Sequence, residues 1–411
     1  MACGSSYDEL HHLVDNDRCV RTLLGIESTE FQTEENRITF SYQNLLDNVG
    51  ILNDETLTLI NEIIVDFGNK EVFKKKGAAG SILKTDSFVV KSNVHFPTDY
   101  NLLWDASRKS LDMIKKLGII DKDALRGWRK MKDWGNKLKN RCRQIGQNSK
   151  NGGKNKAERQ KELVEKYLKT GTELVYKIID FLPTISQDIK SQLIKSELEN
   201  YASLSIQFID QLERRVIKGE TIAHNTKLFS IFEQYTQWIS KGKTNPSMEL
   251  GKALAITTNQ NGLIIHHKIL ENESDSQALS AIVAAVLKQE PSVESWSFDK
   301  GFYSKENKAL LSPKITNLVM PKKGKLNALE KAEEHTPKFI KIRHRHSAIE
   351  SNINELEHRG LDRCPDRGLP HFQRYIAMGI CAFNLHKIGA KIRADDIAQL
   401  QKKTKNTKKT A

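Results

Sequence analysis

Apolar residues return at three- and four-residue spacing from Tyr7 to about Lys76, as in LeuLeuAspAsnValGlyIleLeu (45–52) and LeuThrLeuIleAsnGluIleIleValAspPhe (57–67). That period predicts a compact helical module. The period breaks in GlyAlaAlaGlySerIleLeuLysThrAspSerPheValValLysSerAsnValHisPhePro, where a glycine-rich entry, β-branched residues and a proline stop predict a strand or bent strand pair over 81–94. Helical spacing resumes from Tyr100 to about Glu220, interrupted by a basic, glycine-containing segment at 144–157 that reads as a mobile loop. LysLeuPheSerIlePheGlu (227–233) reads as a strand. LeuAlaIleThrThr and LeuIleIleHisHisLysIleLeu flank AsnGlnAsnGly, a hairpin signal because the turn needs a positive φ that Asn-Gly supplies. A helix at 276–289, a strand at 294–298, a helix from near Ser304, a strand at 315–320 and helices from 326 onward complete the pattern.

Three strands are thus followed by alternating helix and strand. Apart from the helical block after the first strand, this is the order of a ribonuclease-H-like core, a mixed sheet covered by helices. The expected class is α/β. It divides into an N-terminal helical, DNA-binding region (1–76), the first core strand (77–99), a helical basic insertion (100–225), the remainder of the catalytic core (226–392) and a basic flexible tail (393–411).

With 38% hydrophobic and 7% aromatic residues in 411, the chain has enough apolar material for two or three soluble domains. No window approaches 18 consecutive apolar residues and no basic-then-apolar leader opens it, so the expectation is a cytoplasmic protein without a membrane partner. Five cysteines are widely spaced, with no CysXaaXaaCys pair, and read as reduced thiols. Cys364 lies among His344, His346, His358 and His371, but at spacings that fit no familiar zinc pattern.

The net charge of +14 points to a polyanionic partner, because nucleic-acid binding is driven largely by counterion release. Between Arg126 and Lys161 there are 13 Lys or Arg against 2 acids, interleaved with Trp128 and Trp134, and Lys402–Lys409 adds five lysines. Charge runs are usually solvated surface, yet this one favours DNA. The candidate contacts are Arg126, Arg129, Lys130, Lys132, Lys137, Lys139, Arg141, Arg143, Lys241, Lys243, Lys341, Arg343 and Arg345. Trp238 and Trp296 read as core or groove residues.

Asp86 in ThrAspSerPheValVal, Asp299 in TrpSerPheAspLysGlyPhe and Glu350 in HisSerAlaIleGluSerAsnIleAsn lie in two strand-like runs and one helix. A ribonuclease-H-like sheet would bring three such carboxylates around a pair of divalent metals. On the helix, Ile349, Ile353 and Leu356 form the apolar stripe, with Glu350 flanking it. Singly, each acid reads equally well as a turn, capping or exposed helix residue. Glu233 is the alternative first carboxylate, since it ends a strand-like run and would make the core contiguous from 227 to 385.

LysGlyLysThrAsnProSerMetGluLeuGly, SerPheAspLysGlyPheTyrSerLysGluAsn and ArgHisSerAlaIleGluSerAsnIleAsnGluLeuGluHisArgGlyLeuAspArgCysProAspArgGly resemble blocks of bacterial insertion-sequence transposases of the DDE class, those of the ISNCY-type group above all. AspSerPheValValLysSerAsnValHisPheProThrAsp (86–99) resembles the block in which an aspartate precedes a ProThrAsp turn. The resemblance covers about residues 15–390. It implies Asp86, Asp299 and Glu350 as catalytic and metal-binding residues, with Mg²⁺ or Mn²⁺ as cofactor. It implies hydrolysis at the 3′ ends of terminal inverted repeats and their joining to target DNA. Double-stranded DNA would be the partner, a homodimer or larger assembly would pair two ends, and the protein would be bacterial and nucleoid-associated. Related transposases place a tyrosine, an arginine and a lysine at fixed offsets around the glutamate; here those offsets hold Arg343, His346 and Glu357, so phosphate gripping passes to Lys341, Arg343 and Arg345. An inactive DNA-binding relative, or a nuclease without strand transfer, would carry the same features.

Overall fold

The computed structural model describes residues 7–26, 37–74, 80–121, 125–150, 152–223, 226–240 and 248–407. Its elements fall into two compact units. One comprises residues 1–93 and 239–411, the other residues 94–238.

The first unit opens with helices α1 (Tyr7–Asn16), α2 (Arg18–Leu23), α3 (Tyr42–Ile51) and α4 (Asp54–Phe67). Their starts follow from side-chain caps: Asp17, Ser41 and Asn53 each accept a backbone N–H three residues on. Strand β1 (Ser81–Lys91) follows as one continuous strand. The unit then resumes after the second one.

The second unit is a helical bundle of α5 (Asp99–Ile120), α6 (Met131–Lys150), α7 (Lys156–Phe181) and α8 (Ile189–Leu212). The ProThrAsp turn starts α5, with the Thr98 hydroxyl accepting the Asn101 N–H. Leu103, Ile114, Leu138, Ile145, Val164, Leu174, Leu198 and Phe208 are among the buried residues at its centre. The loop expected over 144–157 is instead helical as far as Lys150. Leu138, Cys142 and Ile145 are buried at i, i+4 and i+7, which holds the last turns of α6 on the bundle core despite their polar composition. The strand expected at 227–233 is not formed: this stretch is bends and turns, with Phe229, Ile231 and Glu233 buried in it.

The sheet is completed by β2 (Gln237–Ser240), β3 (Met248–Thr258), β4 (Ile264–Ile269), β5 (Val293–Phe298) and β6 (Asn317–Val319), in the order β2-β3-β1-β5-β6 with β4 also beside β3. β1 runs antiparallel to β3 and parallel to β5, and β5 runs parallel to β6. The β3–β4 hairpin forms where AsnGlnAsnGly predicts it. Gly262 supplies the positive φ (76°), and the Asn259 carboxamide accepts the Asn261 and Leu263 N–H groups. With α9 (Asp275–Gln289), α10 (Lys305–Leu311), α11 (Ala328–Glu334), α12 (Pro337–Leu356) and α13 (Leu369–Thr407), this is the mixed, helix-covered sheet expected from the sequence, interrupted after its first strand by the helical unit.

One sheet face packs on α9, where Leu83, Trp296 and Phe298 meet Leu279, Ile282 and Val286. Trp296 is fully buried, and its indole N–H donates to the Thr85 hydroxyl, which also bonds Thr257. At the β4 side, buried Asn384 of α13 bonds both the N–H and the carbonyl of Ile264, and Asn61 of α4 shares that carbonyl. The tail expected from residue 393 continues α13 as helix to Thr407: after Gly389 the chain has neither Gly nor Pro, and Ala, Gln, Leu and Lys are strong helix formers. No described helix is long and apolar enough to cross a membrane.

Candidate active site

The register pairs Leu83 with Trp296, Lys84 with Ser297 and Thr85 with Phe298 and ends there, one residue before Asp86 and Asp299. Neighbouring strands lie about 5 Å apart, so these two carboxylates leave the sheet side by side. Alternation gives Leu83, Thr85, Trp296 and Phe298 to the apolar face and Lys84, Asp86, Ser297 and Asp299 to the other. Helix α12 packs across β1, β5 and β6 on that second face, as the 2.9 Å contact between the Ser297 hydroxyl and His346 Nδ1 shows. Glu350 lies one turn beyond His346, exposed beside fully buried Ile349. Asp86, Asp299 and Glu350 thus come from three separate parts of the chain, and the charges of Asp299 and Glu350 both reach Asp86.

Their charges act on one another. Burial pushes the Asp86 carboxyl up to about 7, and repulsion from Asp299, Asp275 and Glu350 adds to it, while the Ser87 N–H, donating at 2.7 Å, pulls the other way. Asp275, the first residue of α9, is itself raised by burial and by Asp299, against a bond from the Ser87 hydroxyl and the charge of Lys323. The loop carrying Asp299 closes tightly on it: a Cβ at Gly301 would stand 2.3 Å from Asp275 Oδ2. Sequence reasoning missed this fourth acid because an aspartate in the first turn of a helix reads as a charge favoured by the helix dipole. His346 is held down to about 4 by burial, so its ring is neutral, and its Nε2 is buried without a hydrogen-bond partner.

Among the described residues no group of three His, Cys, Asp or Glu side chains is arranged to hold an ion as it lies. The donor chemistry nonetheless suits a hard divalent cation, since the acids whose charges reach Asp86 offer only oxygen donors. Cys364 is not part of any such group; its thiol points to the Asp366 carbonyl.

Residues 216–385 match the family model for the transposase DDE domain. These residues thus carry a transposase DDE domain of insertion-sequence type. The match spans Glu233, Asp275, Asp299 and Glu350 and stops short of Asp86. No curated protein and no solved structure matches the transposase.

The other expected residues of the transposase fall as follows. Glu233 lies in the helical unit, buried in a turn that precedes β2, with the Ser230 hydroxyl accepting its N–H. Arg126, Arg129 and Lys130 are exposed in the turns before α6; Lys132, Lys137, Lys139 and Arg143 are exposed on α6, and Arg141 is half-buried. Lys341, Arg343 and Arg345 are exposed on the first half of α12. Lys241 and Lys243 lie outside the described residues. Of the three offsets around Glu350, Arg343 is exposed, His346 is buried against Ser297 and Glu357 is half-buried.

Proposed function

We propose that this transposase binds the terminal inverted repeats of its element, hydrolyses their 3′ ends and joins the freed 3′-hydroxyls to target DNA, with Asp86, Asp299 and Glu350 holding Mg²⁺ or Mn²⁺. The observation that carries the reading is that Asp86 and Asp299 each follow directly on the last paired residues of β1 and β5, with the charges of Asp299 and Glu350 both bearing on Asp86. It favours Asp86 over Glu233 as the first carboxylate, because Asp86 lies within reach of both other acids. Bound divalent metal would supply an activated attacking oxygen and a stabilised leaving oxygen. The chain's own part is positional and electrostatic. Asp86 must shed its proton before it can act as a ligand, Ser87 steadies its ionised form through the backbone N–H, and the rigid sheet fixes its spacing from Asp299.

Arg126, Arg129 and Lys130, with the exposed cations of α6, supply a backbone-neutralising surface, and Lys341, Arg343 and Arg345 act nearer the carboxylates. The helical region at 1–76 is assigned to end recognition. Pairing two ends requires at least two protomers on the DNA.

The deciding experiment is Mg²⁺-dependent cleavage of labelled element-end DNA by the wild type and by Asp86→Ala, Glu233→Ala, Asp299→Ala and Glu350→Ala, with binding followed in parallel. Cleavage lost and binding kept in the Asp86, Asp299 and Glu350 variants supports the triad. Loss in Glu233→Ala with Asp86→Ala still active reassigns its first member. A wild type that binds ends but cuts under no divalent metal leaves a DNA-binding protein, and cutting without joining leaves a nuclease.

A further inference from the structure

The sheet face that carries Asp86 and Asp299 is not closed along its length. Toward the beginning of β1 and β5, the first half of α12 stands off the sheet and leaves a cleft of about 590 Å³. Its floor is polar: Ser295, Ser297 and Asn317 face into it from the two parallel strands, and Asn317 Oδ1 is buried without a hydrogen-bond partner. Its walls carry Lys84, Lys338, Lys341 and Arg345 against a single acid, Glu294. Glu294 is engaged, its Oε1 accepting from the Asn317 amide at 3.4 Å.

Lys84 is the informative member. It sits on β1, half-buried, and lines the cleft together with the like-charged Arg345. Folding gains nothing from such a pair, because desolvating a cation beside another cation is a net cost. An anion between Lys84 and Arg345 would reverse that sign. Lys84 and Asp86 share a face of one strand two residues apart, so their Cα atoms are about 7 Å from each other. An anion held at Lys84 is therefore close to whatever the carboxylates act on.

We propose that this cleft is a strand-gripping subsite, in which Lys84 and Arg345 clasp the DNA backbone phosphate next to the one that is cut, and Lys338 and Lys341 guide the strand onward along α12. The proposal rests on the DNA-cleaving reading above and adds to it two unassigned residues, Lys84 and Lys338, and the direction in which the strand leaves the site.

The test is equilibrium binding without divalent metal, so that no cutting intervenes. Labelled element-end duplex is titrated across a salt series with the wild type, Lys84→Gln, Arg345→Gln and the double variant. Each single variant should reduce the slope of log affinity against log salt by about 1, and the double variant by about 2. Arg345 is exposed, so its variant reports even if Lys84→Gln disturbs the strand. In a second arm, a neutral methylphosphonate replaces the phosphate beside the cleavage position. The wild type should then lose affinity, and the double variant should lose little more than it already has. A double variant that keeps the wild-type slope, or that pays the full methylphosphonate penalty, overturns the cleft while leaving DNA binding intact. Inorganic phosphate that competes for Lys84 and Arg345 without displacing DNA would make the site one for a free anion, and would also overturn it. A wild type that binds no element-end DNA at any salt concentration removes the functional reading and the cleft together.

Discussion

Asp86 and Asp299 each come one residue after the last paired residues of β1 and β5, Thr85 and Phe298, and the Asp299 charge bears on Asp86. Proximity of this kind has a cost that can be measured. Two acids about a strand spacing apart repel, and the one more enclosed keeps its proton longer.

The cost appears first in the pH dependence of stability. The Asp86 carboxyl rises from 3.8 to about 7 on folding. The folded form therefore holds a proton that the unfolded chain releases near pH 4, and stability is present below that pH and lost as pH climbs to about 7. The difference is on the order of 4 kcal/mol at full ionisation. Without divalent metal, Tm should fall between about pH 4 and 7, Asp86→Asn should flatten that fall, and Mg²⁺ should restore Tm in the wild type alone. A wild-type Tm unchanged across this range would mean that Asp86 ionises normally.

Asp275→Asn tests the fourth acid. It removes one like charge from both Asp86 and Asp299, so the acid limb of the cleavage rate against pH should move to lower pH. Tm at pH 8 should rise without metal. A limb that does not move would mean that Asp275 is only the start of α9.

Gly251 supports the site from the other side of β1. It pairs with Lys91, and a Cβ there would lie 2.0 Å from the Val90 carbonyl oxygen. Gly251→Ala should push β3 off β1 and lower stability by at least about 1–3 kcal/mol, read as a reduced urea midpoint. Gly152→Ala, where nothing lies within 4 Å, is the matched control.

The basic surface of α6 makes a separate prediction. Replacing exposed Lys132, Lys139 and Arg143 by Gln should weaken binding to all DNA sequences alike and lower the salt slope by about 3. Unchanged binding would make this face ordinary solvated surface.

Much of the core could be read ahead of the structure, for identifiable reasons. The β3–β4 hairpin is announced by AsnGlnAsnGly, and Ser304 caps α10 where a helix start is expected. The stretch at 227–233 misled because Phe229, Ile231 and Glu233 alternate as a strand does, while their burial comes from irregular packing with no ladder. Residues 144–150 look like a loop by composition, yet Ile145 anchors them as helix. The nearness of Asp86 to Asp299 could be suspected but not seen, since register is a property of strands brought together by the fold. Asp275 was hidden because an acid in the first turn of a helix reads as one favoured by the helix dipole.

The interruption after β1 also sets an order of assembly. Both neighbours of that central strand, β3 and β5, are encoded after the entire helical unit. On the ribosome, Asp86 emerges early with no strand to pair with, and the bundle that follows can fold before β3 exists. A chain released between the end of α8 and the start of β3 would hold a finished bundle and an unpaired strand with open edges, prone to sticking to other chains. On the proposed reading, the three acids can come together only once Glu350 has been made, when most of the chain is already out.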